Sequence, residues 1–377
     1  MEKYQLMEGL RERLALRCKP RLGKGVAARA FALSLALAVA LGTATALTAC
    51  SGSPAANIDS ATVAEGSSSK TSDTSKATSK ASYPVTVTTY GSDQKPVELT
   101  FDKAPEKVVA VYQNDIENLL ALGLGDRIVM ATGLDHDVLP SLKDGFDTIN
   151  YTNDYTPSKE TVLSYDPDFI LGWSSLFADD TLGSIESWQE QGVNAYSSMN
   201  SGGVKERTLE NEYTDLENLG KIFGVEDKAA ELIDEIKAAV SDTVDHAKSE
   251  GTTPKVLVME TLNGNITNYG ASTLCGDMVT QLGGELVYPD AKKIGTEDII
   301  KADPDIIFAV YMDSSGENMA QTVKDNILND PALADLKAVK EGRVVPIELG
   351  QMYCSGVRTI DGIHTLANGM YPGLDLK

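Results

Sequence analysis

Hydrophobic and polar residues alternate with two different periods from about residue 83 onward. PVTVTTY and PVELTF alternate residue by residue, which predicts a β-hairpin, whereas KVVAVY (107–112) is a continuous apolar run typical of a buried strand. NDIENLLALGLG follows with helical spacing, and further apolar runs (RIVMATG, DFILGW and VNAYSS) are separated by helical segments. Strands that alternate with helices in this way predict a mainly parallel sheet with helices on its faces.

The same order of elements returns in the second half of the chain. Residues 209–250 contain few helix breakers, and their apolar residues recur at helical spacing at Ala229, Leu232, Ile233, Ile236, Val240 and Val244. After Pro254, KVLVME echoes KVVAVY, CGDMVTQLGG echoes IENLLALGLG, and GRVVPIE and RTIDGIHTLANGMY form a last strand and helix. The pattern predicts an α/β fold of two similar lobes with mainly parallel sheets, joined by one long bridging helix.

One phrase is written in both halves. KETVLSYDPDFIL (159–171) matches TEDIIKADPDIIF (296–308), so that Glu160 corresponds to Glu297 and each copy contains Asp-Pro-Asp. The proline ends each helix and is expected to hold the residue before it in extended geometry. This corner accounts for the proline and the apolar strand, but not for the glutamate at the exposed start of each helix, where the helix dipole alone also favours an acid.

The N-terminal residues differ from the rest of the chain. Residues 1–29 carry eight Lys/Arg against three acids, and an apolar run from Ala30 to Leu47 precedes Thr-Ala-Cys50. This is typical of an export signal with a lipidated cysteine, although a membrane-spanning helix stays open as an alternative. Residues 51–82 hold fourteen Ser/Thr, which predicts a flexible tether. The expected organisation is a signal peptide (1–49), lipidated Cys50 and tether (50–82), N-terminal lobe (83–208), bridging helical segment (209–250) and C-terminal lobe (251–377).

Charge and motif content exclude several classes of function. The chain carries −22, of which the first 49 residues contribute +5, so the remainder carries −27 and cannot bind nucleic acid through a basic surface. There is no G-x-S-x-G, P-loop or G-x-G-x-x-G motif, which disfavours an enzyme. The three histidines do not converge, and His136 between two aspartates is expected to lie in a solvated loop, so no direct metal site is predicted. Cys275 and Cys354 could form a disulfide, which their spacing leaves open.

Several of these features together resemble a known family. The Leu-Thr-Ala-Cys50 sequence, the segment KVVAVYQNDIENLLALGLGDRIV, both Asp-Pro-Asp phrases, the bridging helix and SGVRTIDGI are similar to the ferric-siderophore and cobalamin substrate-binding proteins of ATP-binding-cassette (ABC) importers, over residues 83–377. The resemblance implies a monomeric receptor, lipid-anchored outside the bacterial cytoplasmic membrane, with its ligand in a cleft between the lobes. It also implies that Glu160 and Glu297 dock onto the two subunits of a membrane permease dimer. Two equivalent carboxylates on a pseudo-symmetric body suit such a twofold partner.

Ligands of open α/β sheets bind beyond the carboxyl ends of the strands. The residues at those ends give the predicted ligand contacts: Tyr112, Gln113, Asn114, Trp173, Ser174, Tyr269, Tyr311, Met312, Tyr353 and Arg358. Aromatic and thioether groups suit a large, partly apolar chelate. Packing at the strand ends is the alternative reading of each, and Arg358 could equally be structural.

Arginine content narrows the expected ligand. After Cys50 the chain has only Arg127, Arg207, Arg343 and Arg358, too few to neutralise a strongly anionic siderophore. We therefore expect a hydroxamate-type ferric chelate or a corrinoid as ligand of an importer receptor. Haem is an alternative ligand, and a lipid-anchored hydrolase or a sensor or adhesin is the alternative of another class.

Overall fold

The computed structural model describes residues 82–262, 264–312 and 318–376, which belong to one compact unit. The predicted signal peptide, Cys50 and the tether up to residue 81 lie outside the described residues. Within the described ranges, no helix combines the length and the apolar character needed to cross a membrane.

The first half of the described chain forms a hairpin and a five-stranded sheet. The hairpin pairs β1 (Val85–Tyr90) with β2 (Pro96–Phe101) in antiparallel orientation, as the alternating pattern predicts. The elements that follow are β3 (Val108–Val111), α1 (Gln113–Ala121), β4 (Ile128–Thr132), α2 (Lys143–Phe146), β5 (Tyr151–Thr152), α3 (Lys159–Ser164), β6 (Phe169–Trp173), α4 (Ile185–Gln189) and β7 (Asn194–Ser198). The strand order is β5-β4-β3-β6-β7, and all neighbouring strands are parallel. We call this sheet with its helices the first lobe.

The predicted long helix is present, and a second helix packs along it. They are α5 (Leu209–Phe223) and α6 (Glu226–Glu250), separated at Gly224, whose positive φ of 68° ends α5. The start of α5 is buried in the core of the second sheet and its end in that of the first, while α6 runs from Ala229 in the first core to Ala247 in the second. Both helices therefore connect the two halves, so the prediction of a single bridging helix holds for α6 but omits α5.

The second half forms another sheet, the second lobe. Its elements are β8 (Lys255–Leu262), β9 (Asn265–Asn268), α7 (Leu274–Gln281), β10 (Glu285–Leu286), β11 (Lys293–Ile294), α8 (Thr296–Ala302), β12 (Ile306–Tyr311), α9 (Met319–Leu328), α10 (Lys337–Lys340), β13 (Val344–Glu348) and α11 (Thr359–Met370). The parallel order β8-β12-β13 repeats β3-β6-β7, whereas antiparallel β9 stands where β4 stands in the first lobe. The two lobes are thus similar in their central strands. Their residue bounds stay a prediction.

The two Asp-Pro-Asp corners have the same construction, but not the expected backbone geometry. The residues before the prolines, Asp166 and Asp303, have positive φ angles of 49° and 43° instead of extended geometry. The left-handed residue closes the helix, because the N–H of Asp303 donates to the carbonyl of Ile299, and aspartate tolerates this conformation better than most residues.

The second aspartate of each corner attaches its strand to the neighbouring one. Asp168 accepts the N–H of Lys107 at 2.8 Å at the start of β3, and Asp305 accepts the N–H of Lys255 at 2.8 Å at the start of β8. Each carboxylate thereby satisfies a strand-end donor and fixes where the central strands begin. The second aspartate of each Asp-Pro-Asp sequence therefore helps to set the register of the central strands.

Candidate functional site

A pocket lies at the carboxyl ends of strands from both lobes. It is lined by residues that follow β3, β4, β6, β12 and β13, namely Gln113, Asn114, Asp135, His136, Trp173, Met312, Glu348, Leu349, Gly350, Tyr353, Cys354, Ser355 and Arg358. Six of the ten predicted contacts are among them: Gln113, Asn114, Trp173, Met312, Tyr353 and Arg358. The expected position beyond the strand ends therefore coincides with a pocket, while contact of each residue with a ligand stays a prediction.

A row of aromatic rings, tilted by 37–51° to one another and called the aromatic stack below, runs from one lobe to the other beside this pocket. Tyr112 lies between Tyr155 (centroids 5.5 Å apart) and Trp173 (4.9 Å) in the first lobe, and Trp173 lies 5.8 Å from Tyr353 of the second. The guanidinium of Arg207 covers the far face of Tyr353 at 4.5 Å. The stack offers π-faces and one cation at the boundary of the lobes, a surface suited to a large apolar or conjugated ligand.

The backbone and hydrogen bonds at the end of β3 hold this stack in place. Tyr112 has φ 82° and ψ 157°, a conformation that glycine normally takes and that costs about 1–3 kcal/mol in other residues. The indole N–H of Trp173 donates to Asn114 Oδ1 at 2.6 Å, and the amide of Asn114 donates to Asp115 at 3.0 Å. Strain and a buried polar network at a pocket are typical of a positioned binding surface.

Arg358 joins the lobes within the wall of the pocket. Its Nε and Nη2 donate to both carboxylate oxygens of Glu117 on α1 at 2.6 and 2.8 Å, and Nη2 also donates to the carbonyl of Asp137 at 2.9 Å. Glu348 lies 3.4 Å from its Nη1. Burial lowers the pKa of this guanidinium, but the hydrogen bond and charge of Glu117 outweigh it and raise the pKa overall. The arrangement favours the structural reading of Arg358 over contact with a ligand.

The loop after β4 contributes residues that the sequence reading did not assign to the site. His136 is buried, with 8% of its side chain exposed, and its Nε2 lies 3.0 Å from Glu348 Oε1 of the second lobe without the alignment of a hydrogen bond. The prediction that His136 is solvated was therefore wrong for its side chain. The aspartates on either side of it in the sequence do not reveal that Glu348 of the second lobe lies against the ring. Gln113 holds this loop, since its side-chain oxygen accepts the N–H of Asp135 at 3.2 Å.

Four predicted contacts lie outside the pocket lining. Tyr112 is buried in the stack beside it, and Tyr311, the last residue of β12, is half-buried. Tyr269 is buried in the core of the second lobe and donates from its hydroxyl to Glu260 at 3.0 Å. The N–H of Ser174 donates to Ser201 Oγ at 2.8 Å within the first lobe.

Buried carboxyl groups lie beneath the pocket. Burial raises the pKa of Asp115, Glu212 and Asp215, and the mutual repulsion of their charges raises the pKa of Asp115 and Asp215 further. Glu212 of α5 accepts the N–H of Gly356 at 2.6 Å and the side-chain amide of Asn200 at 2.7 Å. It thereby connects both lobes to α5.

The cysteines are not joined. Cys275 and Cys354 are both free and buried in the second lobe, and burial raises the pKa of each thiol. The disulfide that the sequence left open is therefore absent between them.

The two glutamates of the repeated phrase occupy equivalent, exposed positions, and neither lines the pocket. Glu160 lies in the first turn of α3 after the capping residue Ser158, and Glu297 lies in the first turn of α8 after Gly295. Both side chains are exposed, and no ion pair among the described residues includes either of them.

Comparisons with known proteins add to this geometry. The family model described as periplasmic binding protein matches residues 108–348, from the first strand of the first sheet to the last strand of the second. The chain belongs to the periplasmic binding protein family. A solved periplasmic binding protein from Veillonella parvula has the same fold, with a TM-score of 0.72 and 32% identity over 77% of this chain and 92% of that one.

Two curated relatives of this periplasmic binding protein come from Bacillus subtilis. An uncharacterized ABC transporter substrate-binding lipoprotein, YvrC, is 25% identical over 295 residues, covering 77% of this chain and 86% of the relative. The petrobactin-binding protein YclQ is 25% identical over 290 residues, covering 71% of this chain and 85% of that protein. The predicted family and the predicted class, a binding protein and not an enzyme, are confirmed.

Proposed function

We propose that this periplasmic binding protein is an exported, lipid-anchored receptor that captures a ferric siderophore or a corrinoid and delivers it to an ABC importer. The observation that carries the proposal is the aromatic stack at the boundary of the lobes, where Trp173 of one lobe meets Tyr353 of the other at 5.8 Å. A ligand that separates these rings would contact both lobes at once. The relatives named as a substrate-binding lipoprotein and a petrobactin-binding protein support the same function.

The charge balance of the pocket favours a neutral or weakly charged chelate. Arg358 is already neutralised by Glu117 and Glu348, and Asp135 adds another carboxylate to the lining. Arg207 is the cation that stacks on the aromatic wall. The carboxylates of Asp135 and Glu348 in the lining would repel a highly anionic catecholate or carboxylate complex, whereas a hydroxamate-type ferric chelate or a corrinoid carries little charge for them to repel.

A ligand panel tests this proposal. The chain from residue 51 is titrated with a ferric trihydroxamate, a ferric catecholate, cyanocobalamin and haemin, and both thermal stability and tryptophan fluorescence are recorded. We expect stabilisation by a hydroxamate or corrinoid, since binding to the folded state raises its stability, together with quenching of Trp173. The other tryptophan, Trp188, is fully buried in the core of the first lobe and serves as internal reference. No response to any of the four would contradict the proposal.

Docking onto the permease is the second part of the proposal. Glu160 and Glu297 offer one exposed carboxylate per lobe in equivalent settings, as a twofold-symmetric basic partner requires. Glu160→Ala with Glu297→Ala is expected to leave ligand binding unchanged and to lower uptake. Glu186→Ala is the matched control, because Glu186 is also exposed in the first turn of a helix, α4, two residues after a serine cap. Equal uptake by all three proteins would remove the docking role.

The lipid anchor is tested separately. Replacing Cys50 by serine is expected to release the protein from the membrane fraction into the medium or periplasm. Retention in the membrane would instead support a membrane-spanning N-terminal segment.

A further inference from the structure

Two large hydrophobic residues are exposed on the described surface, and they occupy the same place in the repeated phrase. They are Leu163 on α3, 44% exposed, and Ile300 on α8, 48% exposed. Leu163 follows Glu160 by three residues, and Ile300 follows Glu297 by three. Residues three apart lie on the same side of a helix, so each lobe presents a glutamate with an aliphatic side chain beside it.

Packing of the two helices does not account for these side chains. Val162 and Ile299, the preceding residues of each copy, are fully buried and already attach α3 and α8 to their sheets. A serine or lysine at the next position would satisfy the same helix and solvent. Isolated exposed hydrophobic residues are common on protein surfaces, but among the described residues these two coincide with both copies of a single phrase.

We propose that Leu163 and Ile300 are the apolar centres of two equivalent docking patches, one on each lobe, which bind the two subunits of a permease dimer. The inference rests on the proposed importer function and extends the docking role of the glutamates. A carboxylate at the rim mainly speeds and orients the encounter, whereas a desolvated aliphatic side chain slows dissociation. The two residue types of each patch therefore have different kinetic roles.

A membrane protein fits these patches better than the lipid surface itself. Glu160 lies beside Leu163, and Glu297 and Asp298 lie near Ile300, all exposed. The exposed Lys301 follows Ile300, so two carboxylates stand against one ammonium group in that patch. Anionic lipid headgroups would repel these carboxylates, and lipid-binding surfaces combine apolar residues with Lys or Arg. A protein surface with a basic residue next to an apolar one is complementary to both parts of each patch.

Photo-crosslinking in the native membrane tests the assignment. The full-length chain is produced in its own host with a benzophenone amino acid at position 163, 300 or, as matched control, 186. We expect positions 163 and 300 to crosslink to the same integral membrane subunit, identified by mass spectrometry as an importer permease, and position 186 to give no such product. Crosslinks to lipid, to a second copy of this chain, to nothing, or equally from position 186 would overturn the proposal.

Affinity measurements then separate the two residue types. The importer identified by crosslinking is purified separately, without a crosslink, in nanodiscs. Leu163→Ser with Ile300→Ser should weaken binding to it about 30-fold, mostly through faster dissociation. The reason is that the exposed half of two aliphatic side chains is no longer buried in the complex. Leu163→Met with Ile300→Val should bind like the wild type. Glu160→Gln with Glu297→Gln should instead slow association and reduce its dependence on salt.

An unchanged dissociation rate in the serine variant would overturn the proposal. Because both residues are exposed and neither lines the pocket, the serine variant is expected to keep its thermal stability and its response to the ligand panel. A wild-type chain that binds no chelate but crosslinks as expected would remove the ligand proposal and leave the docking patches intact.

Discussion

The buried ion pair between Glu117 and Arg358 joins the two lobes and gives a quantitative prediction. Glu117 is fully buried and 7% of the Arg358 side chain is exposed, and two hydrogen bonds of 2.6 and 2.8 Å join them. Glu117 also accepts the N–H of Leu139 at 2.9 Å and the side-chain amide of Gln113 at 2.8 Å. Glu117→Gln keeps the shape of the side chain but leaves the guanidinium buried beside a neutral amide.

Breaking one partner of a buried pair costs about 3–5 kcal/mol, because an uncompensated charge remains. The contacts of Arg358 with Glu348 and the carbonyl of Asp137 offset part of this, so we expect a loss of about 3 kcal/mol. For a folded part of this size the melting temperature should fall by roughly 5 °C. Urea unfolding followed by circular dichroism measures the free energy of unfolding, and calorimetry measures the melting temperature.

Two further variants make this prediction decisive. Glu348→Gln removes the charge of the partner that lies farther away, at 3.4 Å, and should cost less stability than Glu117→Gln. Glu117→Leu combined with Arg358→Leu should recover most of the stability, since removing both charges also removes their desolvation cost. If Glu117→Gln unfolds at the wild-type urea concentration, the pair does not hold the lobes together, and Arg358 returns as a candidate ligand contact.

Three more predictions concern buried groups. Burial raises the pKa of Asp115 in the folded protein above its pKa in the unfolded chain, so the folded state binds the proton more tightly. The free energy of unfolding therefore falls as pH rises from the unfolded-state pKa to the folded-state pKa. Asp115→Asn should flatten this decline and be the more stable protein at pH 7. Cys275 and Cys354 should react with iodoacetamide only after denaturation, which mass spectrometry detects. Gly356→Ala should lower stability by about 2–4 kcal/mol in urea unfolding, because φ is +54° and the added Cβ would meet Asn118.

The secondary structure followed closely from local patterns. The hairpin, the buried strands in KVVAV and KVLVM, and the long helix α6 have the hydrophobic patterns from which secondary structure is most readily predicted. The break between α5 and α6 lies at Gly224. The sequence pattern predicted one long bridging helix and did not predict α5 as a second helix that connects the halves. The residue before each proline of the repeat was expected to be extended, because proline disfavours helical geometry there. The expectation failed because a left-handed residue at that position can close the end of the helix.

The pocket was predictable in position but only partly in composition. Strand ends identified Gln113, Asn114 and Trp173, because the carboxyl ends of parallel strands meet at one edge of a sheet. They did not identify His136 or Glu348 as partners, since these residues are more than 200 positions apart in the chain and meet only where the lobes touch. Hydrophobic periodicity reflects neighbours along the chain and cannot predict such a long-range contact.

By itself, the sequence determined two similar α/β halves, their order, the acidic surface and the repeated corner, because each depends on residues close together in the chain. Only the tertiary structure decided that Arg358 pairs with Glu117, that aromatic rings of both lobes stack beside the pocket, and that Leu163 and Ile300 stay exposed. The reason is physical: whether a side chain is solvated, paired or buried depends on which distant surfaces face it, and that is set by how the two lobes close on each other.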